Sequence, residues 1–568
     1  MDKINKIPLG DWLYLLIFIF ALGFRLVGVN DVPLTDWDAT HAISAVDFSQ
    51  GNLTSIGSQP AYVILTGILF SIFRQTNFWA RVIPAIAGAC LVFLPLFIKG
   101  KLGKGTGLVW SILIAVSPAL MASARWDAGT TLGISSLLFS FGFLVLGKYA
   151  AAGVMFALTL LSGESFWLGL LGLILTGWLT GIIFPKKGTS EENGLISFIN
   201  NPGRSNWIKT GLWCLGSYLL IGSTLFIHPL GLAGIASSFE GVIQKITQPG
   251  GVSVIRQLIA LVSSEPLLVL LGIIGIIQGF IQKQKNYKRL AVWLLVALIL
   301  AILPAGRQVV DLSYAIIPLS MLASLAINNI IGKETEPTLV WIQAIIMVIL
   351  TVIIAFNLVG LYNSNVELLQ NQQRFIQMVS SGILLIFIIG LVWWGWSGRT
   401  ALKGFVIGAV IILGIMTISG GIRALGFGNH PEANIWLKSG YPQDQKIITQ
   451  TIGDISEWTT GNRFRVDGAI VGIPSSNLRW SLDPFNQIKH LNSLSVESHP
   501  SIVLSGSQEN LTLGSSYRGQ DFILSSIPLW NDLTIHQWME WLILQKIPTE
   551  QETIIIWVRN DIMPGINQ

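Results

Sequence analysis

Ala61-Tyr-Val-Ile-Leu-Thr-Gly-Ile-Leu-Phe-Ser-Ile-Phe73 is an apolar run whose reading decides how the rest of the chain is threaded. A bilayer core takes about 20 apolar residues per helix, so this run is about two-thirds of a spanning length. If it crossed, the loop Lys99-Gly-Lys-Leu-Gly-Lys104 would land outside with its three lysines. Read as a helix lying in or dipping into the outer leaflet, it leaves that loop in the cytoplasm. The loops carrying Lys186 and Lys187, the group Lys283, Lys285, Lys288 and Arg289, Lys333, and the pair Arg399 and Lys403 then face the cytoplasm as well. Short cytoplasmic loops hold an excess of Lys and Arg, which selects the non-crossing reading.

The bulk composition agrees with a membrane chain. Of 568 residues, 52% are hydrophobic and only 11% charged, and the mean hydropathy is +0.63. Such values describe a polytopic α-helical membrane protein. Spans are expected near 11–30, 82–98, 106–122, 129–147, 149–162, 165–184, 208–228, 266–282, 290–304, 312–331, 338–361, 374–396 and 403–420, about thirteen in all. The net charge of +5 is spread through short loops, which encodes orientation and does not suggest nucleic acid. Lys3 and Lys6 precede an apolar first segment without a small-residue cleavage site, so a retained helix with a cytoplasmic N-terminus is expected. Cys90 and Cys214 lie inside apolar segments and read as packing residues.

The odd number of crossings exports the C-terminal tail. From residue 421 the long apolar runs stop, so residues 1–420 form a transmembrane domain and 421–568 an extracytoplasmic α/β domain. Lys446-Ile-Ile-Thr, Gly468-Ala-Ile-Val-Gly, Ser501-Ile-Val-Leu-Ser and Thr553-Ile-Ile-Ile-Trp-Val read as short buried strands, and Ile535 to Leu544 as an amphipathic helix.

The same parity puts the polar loops 30–81, 122–128 and 229–265 and the Arg307 turn on the outer face. The first opens with Pro33-Leu-Thr-Asp36-Trp-Asp38-Ala-Thr-His41. Two carboxylates two residues apart can share work, one orienting a hydroxyl or binding a metal while the other accepts a proton; a helix cap is the competing reading. Ser123-Ala-Arg125-Trp126-Asp127 combines an Arg suited to phosphate with a carboxylate, or else anchors the chain in the interface. Arg307 in Pro304-Ala-Gly-Arg-Gln-Val-Val-Asp311 is an outer cation suited to a lipid-phosphate headgroup, or the partner of Asp311 four residues on. Glu164 lies at an outer helix boundary, where a carboxylate lines a cavity or is solvated, and His228 reads as structural. No P-loop, dinucleotide fingerprint, His-Glu-x-x-His or paired-Cys motif occurs, and the spans lack runs of buried charge, which disfavours nucleotide-driven pumps and ion-coupled transporters.

Arg25 leading into Pro33-Leu-Thr-Asp36-Trp-Asp38-Ala, then Gln59-Pro60-Ala-Tyr62, Ala80-Arg81-Val-Ile-Pro84-Ala-Ile-Ala-Gly88, and Ser117-Pro118 with Ser123-Ala-Arg125-Trp-Asp127 resemble the GT-C superfamily of membrane glycosyltransferases. The resemblance is to its protein O-mannosyltransferase and aminoarabinose-transferase branch and its dolichyl-phosphate-mannose-transferase-like bacterial relatives. It covers about the first 170 residues well, Arg307 to Leu319 moderately and the tail weakly. It implies an acidic pair at Asp36 and Asp38, an Arg and acid at Arg125 and Asp127, and Arg307 as a second phosphate-binding cation; His41, Glu164 and Asp311 are candidates to support them on the reading of the residues themselves. The family's adjacent Asp-Glu pair is interrupted here by Trp37, and Asp stands for Glu, which leaves open which aspartate is the base. The implied activity is inverting transfer of one sugar from a polyprenyl-phosphate donor to a protein, lipid or glycan acceptor of the cell envelope, with a divalent metal possible at the carboxylates. The competing reading is a non-catalytic lipid-sugar flippase or scaffold subunit, in which the aspartates only cap a helix.

Overall fold

The computed structural model describes residues 9–52, 56–100, 102–184, 203–331, 337–362, 368–495, 497–507 and 513–562. Lys3, Lys6, Lys101, Lys186, Lys187 and Lys333, used above for orientation, lie outside the described residues. Helices occupy every stretch expected to span. Among the described residues, seven are long and apolar enough to cross a membrane, or nine if each of two bent pairs is one span. Their outer sides carry bare apolar side chains such as Ile281, Phe356 and Trp394. Apolar surface on that scale is covered by lipid, and the chain is an integral membrane protein.

The first outer segment holds the expected short helix over the 61–73 run and, where a loop was expected around Asp36, a second helix packed against it. After α1 (Leu9–Leu26), α2 runs Asp36–Ser49 and α3 Pro60–Ile72. Thr35, not Asp38, is the N-cap of α2: its hydroxyl accepts from the Asp38 amide at 3.4 Å and donates to the Asp38 carboxylate at 2.9 Å. Pro60 starts α3, where its missing N–H costs nothing. At 13 residues α3 is about 20 Å long by helical rise, too short for a bilayer core. Gly67 lets it approach α2 closely, since a Cβ there would stand 2.4 Å from the Phe48 ring. From α3, Tyr62 donates to the Ala80 carbonyl at 2.9 Å, tying it to α4 (Asn77–Cys90).

Proline explains the two bends. The expected span at 106–122 breaks at Ser117-Pro118 by 47° between Gly105–Val116 and Pro118–Trp126. Pro118 cannot donate and pushes Ser117 out of helical backbone, with ψ at 118°. The second break, 91°, lies between Val254–Ser264 and Pro266–Ile281. Buried Glu265 sits in that break and joins the two bends, accepting from the Ala119 amide at 2.9 Å and from the Ser117 hydroxyl.

The last apolar helix ends at Ala424, and the soluble domain is a six-stranded mixed sheet. Its strands are β1 (Tyr441–Pro442), β2 (Gly468–Val471), β3 (Ile488–Leu491), β4 (Ile502–Gly506), β5 (Tyr517–Pro528) and β6 (Thr549–Arg559), in spatial order β1-β5-β6-β4-β2-β3. β2 is parallel to β3 and β4, and the remaining pairs are antiparallel. Three of the four expected strands and the Ile535–Leu544 helix are present. Lys446-Ile-Ile-Thr is the exception, being the first turns of a helix over Gln445–Thr460. A four-residue apolar run cannot separate the two periods; Ile448, Ile452 and Ile455, all buried, carry the helical one.

The soluble domain is clamped onto α2 by one short helix, Ser476–Leu482. The Ser475 hydroxyl and the Asn477 amide each donate to one Asp36 carboxylate oxygen at 2.8 Å. Thr40 donates to Ser476 at 2.8 Å, Asn477 donates to the Leu34 carbonyl, and Trp480 donates to Asn77 at 2.8 Å.

Candidate active site

The site is built where α2, the start of α4 and the Pro118–Trp126 helix converge beneath the soluble domain. Asp38 sits in the first turn of α2, its side chain 11% exposed. Arg81, from α4, points one guanidinium nitrogen at it from 3.9 Å, a charge contact longer than a hydrogen bond. The same nitrogen, Nη2, donates to the Pro33 carbonyl at 2.8 Å, and Nη1 holds the incoming loop by the carbonyls of Val29 and Val32 at 3.2 and 2.7 Å. Burial pushes the Asp38 carboxyl up to about 7, against the pull of Arg81 and Thr35. Arg125 shares the pocket with Asp38, Arg81 and His41. One of its terminal nitrogens donates to the Val27 carbonyl at 2.9 Å, while its Nε and other terminal nitrogen are buried without a partner. His41 Nδ1 lies 3.0 Å from the Trp37 carbonyl, so that nitrogen carries the proton and Nε2 is left as the acceptor. Burial pushes the His41 ring below its ordinary pKa and keeps it neutral.

A second cluster adjoins the first through Trp37. Asp127, 3% exposed, caps the Ala128–Val145 helix by accepting from the Thr130 amide and hydroxyl at 3.3 and 2.8 Å. Its cation is Lys438, 2.5 Å away, whose ammonium also stands 4.1 Å from the centre of the Trp37 ring. Burial raises the Asp127 carboxyl, and the Lys438 charge with the hydrogen bonds outweighs it, leaving the group below the usual carboxylate range. Lys438 is held above its ordinary value: burial opposes its charge, and Asp127, Glu164 and Asp311 together overcome that. These groups border an open polar cleft of about 1220 Å³ lined by Trp37, Glu164, Lys245 and Lys438. An apolar crevice begins at Ser165, Asp311 and Tyr314 and continues into a larger cavity of about 1640 Å³, the two sharing Leu138, Leu173, Trp293 and Ile317.

The residues singled out in the sequence are therefore divided. Asp38, His41 and Arg125 meet in one pocket, and the charges of Asp127, Glu164 and Asp311 converge on Lys438. Asp36 is turned to the docking helix. Arg307 is held by backbone through two of its three nitrogens, Nε donating to the Val252 carbonyl at 2.9 Å and Nη1 to those of Pro304 and Ile302 at 3.2 and 3.5 Å. Asp311 pairs with Lys245 at 2.6 Å and not with Arg307. His228 is exposed and edges onto Phe48.

The sequence reading did not assign roles to Lys438, Arg81 and Lys245. Arg81 carried a usable signal, an arginine inside an otherwise apolar helix. Lys438 carried little, because a lysine in a polar tail reads as solvated. Among the described residues no group of three or more His, Cys, Asp or Glu side chains converges as a metal site. The carboxylates face cations of the protein instead: Asp38 with Arg81, Asp127 with Lys438, Asp311 with Lys245.

The sequence matches no family model and no curated protein. The structure matches ArnT from Cupriavidus metallidurans, in a crystal structure bound to undecaprenyl phosphate, with a TM-score of 0.55 at 12% identity over 98% of this chain and 99% of that one. The apo crystal structure of the same protein matches with the same score and identity over 97% and 98%. An oligosaccharyltransferase from Archaeoglobus fulgidus matches at 0.45 and 12%, over 85% of this chain and 64% of that one. Matched from end to end, apolar helices and C-terminal α/β domain together, the chain has the fold seen in that ArnT structure.

Proposed function

We propose that the protein transfers a single sugar, with inversion, from a polyprenyl-phosphate donor to an acceptor hydroxyl on the outer face of the membrane. The observation that carries the reading is one pocket holding both a carboxylate of raised pKa, Asp38, and buried guanidinium N–H groups of Arg125 that no protein atom satisfies. Buried unsatisfied donors beside a base suit a site that receives an anion. The ArnT crystal structure with undecaprenyl phosphate supports a lipid-phosphate donor, and the apolar crevice offers a place for its chain.

In this reading Asp38 accepts the proton of the acceptor hydroxyl as the oxygen attacks the anomeric carbon. The bond from that carbon to the phosphate oxygen breaks, and the electron pair leaves with the lipid phosphate. Arg125 and Arg81 stabilise the charge that grows there. Lys438, held by Asp127, walls the adjoining cleft, His41 supports Asp38, and Asp36 holds the C-terminal domain. The topology that goes with it has about thirteen crossings, a cytoplasmic N-terminus and an extracytoplasmic domain from about residue 421. Thr35 caps α2 and Asp36 is occupied by the docking helix, so the capping role that the flippase or scaffold reading gave to both acids is filled by another residue, and Asp38 is left for chemistry.

The test is transfer from radiolabelled polyprenyl-phosphate sugar in membranes carrying Asp38→Asn, Asp36→Asn or both. Loss with Asp38→Asn and survival with Asp36→Asn is the expected outcome. Full activity in the double variant would sink the catalytic assignment.

A further inference from the structure

A second polar groove lies on the far side of the loop that Arg81 holds. Asn30, Gln75, Asn77, Gln443, Gln445 and Gln450 line it, together with hydroxyls of Thr76, Thr449 and Ser481, and it encloses about 1250 Å³. Among the described residues, the charged side chains in its lining are Asp31 and Lys446, of opposite sign. The aromatic residues on its wall, Tyr441 and Trp480, come from the soluble domain.

One half of the groove is rigid and the other half has free hydrogen-bonding capacity. Asn77 accepts from Trp480 at 2.8 Å and donates to the Asn30 carbonyl at 3.4 Å, and the Asn30 side chain accepts from the Phe78 amide at 2.9 Å. That cradle is fixed before any ligand arrives. Opposite it, at the start of the Gln445–Thr460 helix, the Gln443, Gln445 and Gln450 side chains have no protein partner among the described residues. A side-chain amide offers two donors and a carbonyl acceptor, and a sugar hydroxyl both donates and accepts, so a field of amides suits hydroxyls better than it suits charge. The balance of one acid and one base disfavours an anionic polymer.

The position is as telling as the lining. Pro33 belongs to the groove wall, and its carbonyl accepts from Arg81 at 2.8 Å, the guanidinium that faces Asp38 on the other side. The groove is thus one loop away from the base, and membrane helices and soluble domain each supply one wall.

We infer that this groove binds an uncharged oligosaccharide, the part of a glycan acceptor beyond the reacting sugar. The inference rests on the glycosyl-transfer reading for its purpose, although binding itself does not. A neutral glycan held here keeps its register while one end reaches Asp38, and the soluble domain is then an acceptor-reading module.

The test uses the full chain in nanodiscs without donor. Saturation-transfer NMR and titration calorimetry are run with neutral tetrasaccharides of glucose, of mannose and of galactose. The variants are Gln443→Ala/Gln445→Ala/Gln450→Ala and, as a control, Asp38→Asn. Gln443 and Gln450 are exposed and Gln445 is half-buried, so the triple variant keeps the wild-type unfolding midpoint. Binding of at least one tetrasaccharide that weakens tenfold or more in the triple variant, and not in Asp38→Asn, supports the site. No binding of any of the three, or binding that the triple variant leaves unchanged, overturns it. So does capture of an unstructured polypeptide on these glutamines in preference to the sugars. Retention of full transfer by Asp38→Asn would overturn the catalytic reading and leave the binding result standing, so the two failures are distinguishable.

Discussion

Replacing Lys438 by Met tests the part of the site that the soluble domain contributes. The Lys438 side chain is 11% exposed and that of Asp127 only 3%, with 2.5 Å between their charged atoms, so the substitution leaves a buried carboxylate without its cation. Removing one partner of such a pair costs about 3–5 kcal/mol. Asp127 keeps the Thr130 amide and hydroxyl, which places the expected loss near the lower end, about 3 kcal/mol. Without Lys438, burial is the largest remaining influence on Asp127, and its carboxyl rises instead of falling. The sign of the pH dependence follows. In the wild type the depressed Asp127 contributes stability above its unfolded pKa and loses it as pH falls through the folded value. The raised Lys438 contributes below its unfolded pKa and loses it as pH rises through the folded value. The pair therefore contributes fully between about pH 4 and about pH 10, and Lys438→Met removes the acid-side loss. Unfolding in detergent, followed by tryptophan fluorescence from pH 3 to 10, is the assay, with sugar transfer measured on the same samples. Lys438→Met/Asp127→Asn recovers most of the stability, because the stranded charge is gone, and does not recover transfer. A Lys438→Met protein as stable and as active as the wild type would refute the reasoning.

Transfer rate rises with pH through about 7, the value to which burial pushes Asp38, and Asp38→Asn removes that limb together with most of the rate. In stability the same group acts the other way: the folded state holds the proton between the ordinary value of 3.8 and about 7, so stability falls as pH rises across that window, measurable by denaturation of Asp38→Asn against wild type. Asp36→Asn keeps an acceptor oxygen for Ser475 and Asn477 and retains transfer, whereas Asp36→Ala loses the contact, costs about 0.5–2 kcal/mol and speeds limited proteolysis of the soluble domain. Arg125→Gln raises the KM for the lipid donor tenfold or more, while Arg307→Gln lowers the unfolding midpoint more than it changes that KM, because the Arg307 Nε and Nη1 tie the carbonyls of Val252, Pro304 and Ile302 together.

The membrane architecture was legible because lipid imposes a length and a composition on each helix, and the expected stretches all turned out helical. The candidate neighbourhood was legible for a related reason, since Asp38, Arg125 and Asp127 stand out against an apolar background. Helix breaks were less so: Pro118 and Pro266 mark where bends occur, but 47° and 91° follow from what packs on either side. The strand expected at Lys446 failed because four residues do not reveal a period, and the burial of Ile448, Ile452 and Ile455 does.

Two assignments had no local signature at all. Asp36 and Asp38 share a turn and a residue type, and only the docking of Ser475 and Asn477, more than 400 positions later, tells them apart. Lys438 becomes a buried cation only when the soluble domain brings it to Asp127, 311 residues earlier in the chain. Hydropathy and charge act locally along a chain and can be read from it: by itself the sequence determined a membrane-embedded helical bundle with acids gathered near its polar turns. Which acid is free and which is occupied depends on contacts between distant segments, and only the tertiary structure decided that, because burial and the proximity of an opposite charge are properties of the packed molecule.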